Sequence, residues 1–169
     1  KGFWNDPKAD DPDDPLEVPV KGLLRLKPCH VLDFLQHFVV YETKKGKTVK
    51  KVARYQQFEA VNDIVDRAVS LKGKSVEPQE RTGLIWHTQG SGKSLSMVFY
   101  AHLLQSTVSQ PTIVVITDRN NLDDQLYGQF AKCKNFLRQD PVHASSRENL
   151  KSLLDGRQAN GVIFTTMQK

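Results

Sequence analysis

Only two cysteines, Cys29 and Cys133, occur in these 169 residues. They are far apart, without the dense even spacing of a disulfide-stapled secreted domain or the paired spacing of a zinc site. Both are expected to be reduced thiols. No apolar run approaches the roughly 18 residues that cross a bilayer. The first twenty residues are acidic and proline-rich, where a secretory leader is basic and then apolar. These absences lead us to expect a soluble, cytoplasmic protein with no membrane partner. The five histidines, at 30, 37, 87, 102 and 143, show no metal-ligand spacing, and none is assigned to catalysis. Because the chain starts at Lys1 and ends at Lys169 directly after an apolar run, it reads as an internal fragment of something longer.

What is present is ordinary globular material. Hydrophobic residues make up 38% and charged residues 25%, enough for one core of common domain size. The net charge of +5 is unevenly spread. Residues 1–20 hold two Lys against six Asp or Glu, a net of −4, whereas residues 21–57 hold nine Lys or Arg against Asp33 and Glu42, a net of +7. A basic stretch of that kind fits either a solvated face or contact with nucleic acid.

Residues 1–20, dense in Asp and Pro, resist helix and sheet and are expected to form a linker. After Pro28, the spacing of Val31, Leu32, Phe34, Leu35 and Phe38 predicts a short amphipathic helix. Two β-rich runs, 38–41 and 48–52, flank Lys44-Lys45-Gly46-Lys47 and predict a hairpin. Residues 21–53 therefore form a connector. From residue 54 the pattern changes. A helix over 56–71 is followed by a break at 73–80. Then come strand 83–87, helix 93–105, strand 112–117, helix 120–131, a short strand near Val142, helix 146–154 and strand 161–165. The alternation implies a parallel sheet covered by helices, an α/β fold occupying residues 54–169. Ser145 and Glu148 ahead of Leu150, Leu153 and Leu154 match a capping box at the start of the last helix.

The strongest chemical signal is Thr88-Gln89-Gly90-Ser91-Gly92-Lys93-Ser94. A triphosphate is held by backbone N–H groups converging from a glycine-rich turn and by the positive end of the following helix. Gly90 and Gly92 permit such a backbone; Thr88 and Ser91 complete the loop. Lys93 is placed to reach the β- and γ-phosphates, and the Ser94 hydroxyl to ligate Mg²⁺, so ATP and Mg²⁺ are the expected cofactors. Gly-Lys-Ser/Thr alone arises by composition in roughly one chain in ten of this length, but here a strand leads in and a helix leads out. His87 stands where the general pattern has its first glycine.

The neighbouring motifs resemble superfamily 2 helicases and translocases, in which that glycine is often replaced, with the fold of a RecA-like lobe. Arg54-Tyr55-Gln56-Gln57-Phe58-Glu59-Ala60 resembles their Q motif, which implies that Gln57 reads adenine; a carboxamide both donates and accepts. Thr117-Asp118-Arg119-Asn120-Asn121-Leu122-Asp123-Asp124-Gln125 resembles motif Ia, which implies that Thr117, Asp118 and Arg119 hold DNA phosphates. Val162-Ile163-Phe164-Thr165-Thr166 resembles motif Ib, which places Thr165 and Thr166 on the same side. At finer grain, the stretch Gly83 to Ser94, the Thr117 to Gln125 run and the closing Thr165-Thr166-Met167-Gln168-Lys169 are similar to the motor subunit of type I restriction endonucleases. That resemblance implies ATP-driven translocation on double-stranded DNA ending in cleavage, alongside methylation and specificity subunits.

The Asp-Glu-Ala-Asp/His motif that completes Mg²⁺ binding in those motors does not occur before Lys169, so this chain alone is expected to hydrolyse little ATP. Asp33 with Glu42-Thr43-Lys44 spells a nuclease-like D…ExK pattern; a solvated ion pair beside a turn is the simpler reading. Three alternatives remain: another superfamily 2 repair translocase, a non-catalytic P-loop module, and a small-molecule P-loop kinase. The last needs an arginine-bearing lid where this sequence has Asp118-Arg119-Asn120.

Overall fold

The computed structural model describes residues 28–44, 46–155 and 161–168. The expected linker over 1–20 lies outside the described residues. The connector forms as a helix, α1 (Pro28–His37), and an antiparallel hairpin of β1 (Val39–Lys44) and β2 (Lys47–Val52), paired from Val39↔Val52 to Lys44↔Lys47. Gly46, at φ +74°, supplies the left-handed residue of the turn.

The rest is helix α2 (Tyr55–Leu71), a 3-10 turn (Pro78–Arg81), α3 (Lys93–Thr107), β3 (Thr112–Thr117), α4 (Asn120–Lys132), a single turn α5 (Lys134–Leu137), β4 (Val142–His143), α6 (Arg147–Asp155) and β5 (Gly161–Thr166). β5 runs between β3 and β4 and pairs with both in parallel, with Thr112↔Gly161 and Thr117↔Thr166 at the two ends of the longer ladder. The expected parallel α/β fold is what the structure contains. Every residue of β5 is buried, as a central strand covered on both faces requires.

Two local expectations need correcting. The strand expected at 83–87 does not form, and the run has no ladder partner among the described residues: Leu84 and Trp86 are each 85% exposed. A β-rich run becomes a strand only when a neighbour completes its ladder, and this one lies against α2 and α3, where Ala60, Ile64 and Tyr100 share a cavity with it. The cap of α6 is shifted by one residue. Ser146 Oγ, not Ser145, accepts from Asn149 N at 3.1 Å, and the Asn149 carboxamide accepts from Ser145 N at 3.0 Å. Asn149 thus takes the part expected of Glu148, since either side chain reaches back across one turn.

One core joins connector and lobe. Phe38, fully buried between α1 and β1, has its ring 5.8 Å from Phe34, 4.6 Å from Phe58 of α2 and 5.6 Å from Phe99 of α3. Those aromatics continue into Val61, Val65, Val98, Phe130 and Phe164. The hairpin is fastened further by Glu42, whose carboxylate accepts from Lys51 Nζ at 2.7 Å and from Gln129 Nε2 of α4. This geometry assigns the D…ExK glutamate to a clasp between elements.

Burial alone would raise the Glu42 carboxyl, but the bonds from Lys51 and Gln129 outweigh it and hold the group below its usual value of 4.5. A depressed carboxyl stabilises the fold above its unfolded-state pKa, and that contribution is lost as pH falls through the lower folded-state value. Lys51 is 39% exposed and its charge is partly screened. Glu42→Gln is therefore expected to cost about 1–2 kcal/mol at pH 7 and much less near pH 3. Urea unfolding at the two pH values checks it; an equal cost at both would exclude the charge as the cause.

Candidate nucleotide-binding site

The segment ending at Thr88 turns through Gly90, at φ +80°, into Gly92, at φ +85°, which caps α3. Both values fall in the left-handed region that glycine alone enters freely. Gly92 has a second reason to lack a side chain, since a Cβ there would stand 2.7 Å from Gln57 Nε2. The helix starts at Lys93, so the amides of Lys93 and Ser94 belong to its unsatisfied first turn. Among the described residues no backbone carbonyl accepts from the N–H groups of Gly90, Gly92, Lys93 or Ser94. Free amides, the positive end of a fifteen-residue helix and a lysine form a cradle that suits a phosphate chain.

Lys93 folds back over this loop, its Nζ donating to His87 O at 3.0 Å and Thr88 O at 2.9 Å. Ser94 is exposed on the first turn, and Ser91 has a buried hydroxyl with no partner. Below the loop an apolar cavity of about 360 Å³ lies among Ile64, Ile85, Met97 and Tyr100, with Lys93 at its side. Ile64, Met97 and Tyr100 lie on helical faces and Ile85 in the strand-like run before the loop, positions that look like ordinary core in the sequence.

Gln57 is 3% exposed and tied at both ends of its carboxamide. Oε1 accepts from Arg54 N at 2.8 Å, and Nε2 donates to Gly92 O at 3.0 Å. The side chain thus bridges the start of α2 to the cap of α3. In this arrangement one of its two N–H donors and one of its two oxygen lone pairs are committed to backbone.

The second group of expected site residues collects at the carboxyl ends of β3 and β5. Thr117 is half-buried, and its hydroxyl donates to Asp123 Oδ1 at 3.2 Å. Asp118 and Arg119 are solvent-facing, with Arg119 Nε 3.4 Å from Asp118 Oδ2. Thr165 and Thr166 lie inside, each 3% exposed, and Thr166 Oγ1 has no partner. The structure therefore brings Thr117 and Thr166 side by side but presents only Thr117, Asp118 and Arg119 to solvent. Asp123 and His143 adjoin this edge; Asp123 belongs to the motif Ia-like run but was given no role of its own, and the pairing was not anticipated, since twenty residues separate the two. Among the described residues no cluster of three or more His, Cys, Asp or Glu could hold a metal, and no helix is long and apolar enough to cross a membrane.

A glycine turn leading into a helix, within a lobe that has a parallel sheet, has the form of a P-loop. Residues 56–169 match the SWI2/SNF2 ATPase family, and the chain belongs to that family. Its relatives include the type I restriction enzyme HindI endonuclease subunit of Haemophilus influenzae, 44% identical over 160 residues that cover 93% of this chain and 15% of that protein. Two putative type I restriction enzyme endonuclease subunits of Methanocaldococcus jannaschii, MjaIXP and MjaVIIP, are 35% and 34% identical over 91% and 85% of this chain, and over 14% and 15% of their own lengths. The chain thus spans about one-seventh of the length of these three relatives. It holds an ATPase lobe of the SWI2/SNF2 family.

Proposed function

We propose that this chain is the Mg-ATP-binding part of a DNA-translocating restriction subunit, working in a complex with methylation and specificity subunits on double-stranded DNA in the cytoplasm. The observation that carries the reading is the loop of Thr88 to Ser94. Its two left-handed glycines free a row of amides at a helix start, with Lys93 folded over them. In this reading Thr88, Gly90, Ser91 and Gly92 wrap the phosphates, Lys93 neutralises the β- and γ-phosphates, and Ser94 ligates Mg²⁺. ATP supplies the free energy of movement; the chain binds and orients it. Gln57 reads adenine after giving up its bond to Gly92, which links base recognition to the shape of the loop. Thr117, Asp118 and Arg119, with Thr165 and Thr166 behind them, form the phosphate-tracking edge, a grip that positions DNA without reading its sequence. Hydrolysis by the chain alone is small.

A chimera tests this. Residues 56–169 are exchanged into the matching segment of the H. influenzae subunit and ATP-dependent triplex displacement is measured in the assembled complex. Displacement should be retained and should vanish with Lys93→Ala; a chimera that assembles and binds DNA but does not displace the triplex contradicts the proposal.

A further inference from the structure

A threonine hydroxyl has one proton to donate, and at the end of β3 that proton is already committed. Thr117 Oγ1 donates to Asp123 Oδ1, so its outward side offers only lone pairs, which repel a phosphate oxygen. The Asp123 side chain is 4% exposed, one turn into α4, and a buried carboxylate does not release a donor unless another group replaces it. A replacement lies alongside. His143 Nε2 of β4, buried and without a hydrogen-bond partner in this arrangement, stands 3.1 Å from the other carboxylate oxygen, Oδ2, and becomes an ion-pair partner when the ring is protonated. The ring is fixed there by stacking on Tyr127, with centroids 4.0 Å apart and planes 21° apart, while the Tyr127 hydroxyl donates to Pro141 O at 3.3 Å. Around this pair the facing ionisable groups are Asp123 and Tyr127 from α4. β5 presents Phe164 to the ring, and Asp118 and Arg119 pair with each other in solvent outside.

We infer that Asp123 and His143 are positioning residues that control whether the Thr117 hydroxyl can donate to a phosphate of bound nucleic acid. The inference rests on the proposed role of Thr117 at the DNA edge. With His143 neutral, Asp123 keeps the hydroxyl proton. Protonated His143 satisfies the carboxylate, Thr117 turns its O–H outward, and the phosphate accepts it. No covalent bond changes; a proton is taken up from solvent as DNA binds, so affinity rises as pH falls.

The test is fluorescence anisotropy of the 169-residue chain with a labelled DNA duplex at pH 6 and pH 8, at fixed low salt. Variants are compared where far-UV circular dichroism matches wild type. Wild type should bind about fivefold more tightly at pH 6 than at pH 8, and His143→Gln should remove most of that difference. Asp123→Asn, nearly isosteric and neutral, should bind at pH 8 about as tightly as wild type does at pH 6. That gain should disappear when Thr117→Val is added, because it acts through the hydroxyl. A gain that persists in the Thr117→Val background is a bulk charge effect and overturns the inference while leaving Thr117's role intact. An unchanged pH dependence in His143→Gln also overturns it. If Thr117→Val alone leaves affinity at pH 6 unchanged, or the wild-type chain does not bind the duplex, the reading of the edge fails and the inference fails with it.

Discussion

Lys93→Ala should weaken Mg-ATP binding at least about 100-fold, a loss of about 2.7 kcal/mol. In the structure the ammonium already rests on His87 O and Thr88 O, so it sits within the loop that a phosphate chain would enter. Moving it from two carbonyl dipoles to a polyanion exchanges a weak attraction for a strong one, in a site where loop amides have no carbonyl partner among the described residues. The variant loses that attraction and also the tie that holds residues 87–88 over the start of α3. Titration with a fluorescent ATP analogue measures the change. Lys93→Arg should recover only a small part, since a planar fork does not fit where a compact charge lies between two carbonyls.

Phe38→Ala should destabilise the fold by about 4 kcal/mol, within the range of aromatic deletions at fully buried sites. Phe38 is the point where α1, the hairpin, α2 and α3 meet, and its backbone is also engaged: Phe38 N donates to Phe34 O and Phe38 O accepts from Ala53 N, both at 2.9 Å. Because α2 carries Gln57 and α3 carries Lys93, the cavity should loosen the nucleotide loop as well as the connector. Thermal and urea unfolding give the stability change. A cost near 1 kcal/mol would show that the connector packs on the lobe without sharing its core.

Much of this was legible in the sequence, and what was not follows one physical divide. The helices at 28–37, 55–71 and 93–107 and the hairpin around Gly46 depend on local periodicity and turn chemistry, and they form where expected, the first hairpin strand running three residues further, to Lys44. The Gly90–Ser94 loop was legible for the same reason, because left-handed glycines and a helix start are local properties. Gly83–His87 had strand-like residues but no stated partner, and pairing is a long-range property; the run forms no strand and has no ladder partner among the described residues. The cap of α6 slipped by one because Ser145 and Ser146 are equivalent hydroxyls in sequence. Glu42 was expected in a solvated ion pair beside the turn; it is buried instead, because Lys51 across the hairpin and Gln129, 87 residues away, meet its carboxylate. The pairing of Asp123 with His143 was missed because only the packing of α4 against β4 brings them together.

The central claim is that the turn from Thr88 to Ser94 binds the phosphates of ATP. The most direct measurement is the change in backbone amide NMR signals of the isotope-labelled chain on addition of Mg-ATP. Gly90, Gly92, Lys93 and Ser94 should show the largest shifts, together with the Gln57 side-chain amide. A folded chain in which these five signals stay in place at saturating Mg-ATP would contradict the account.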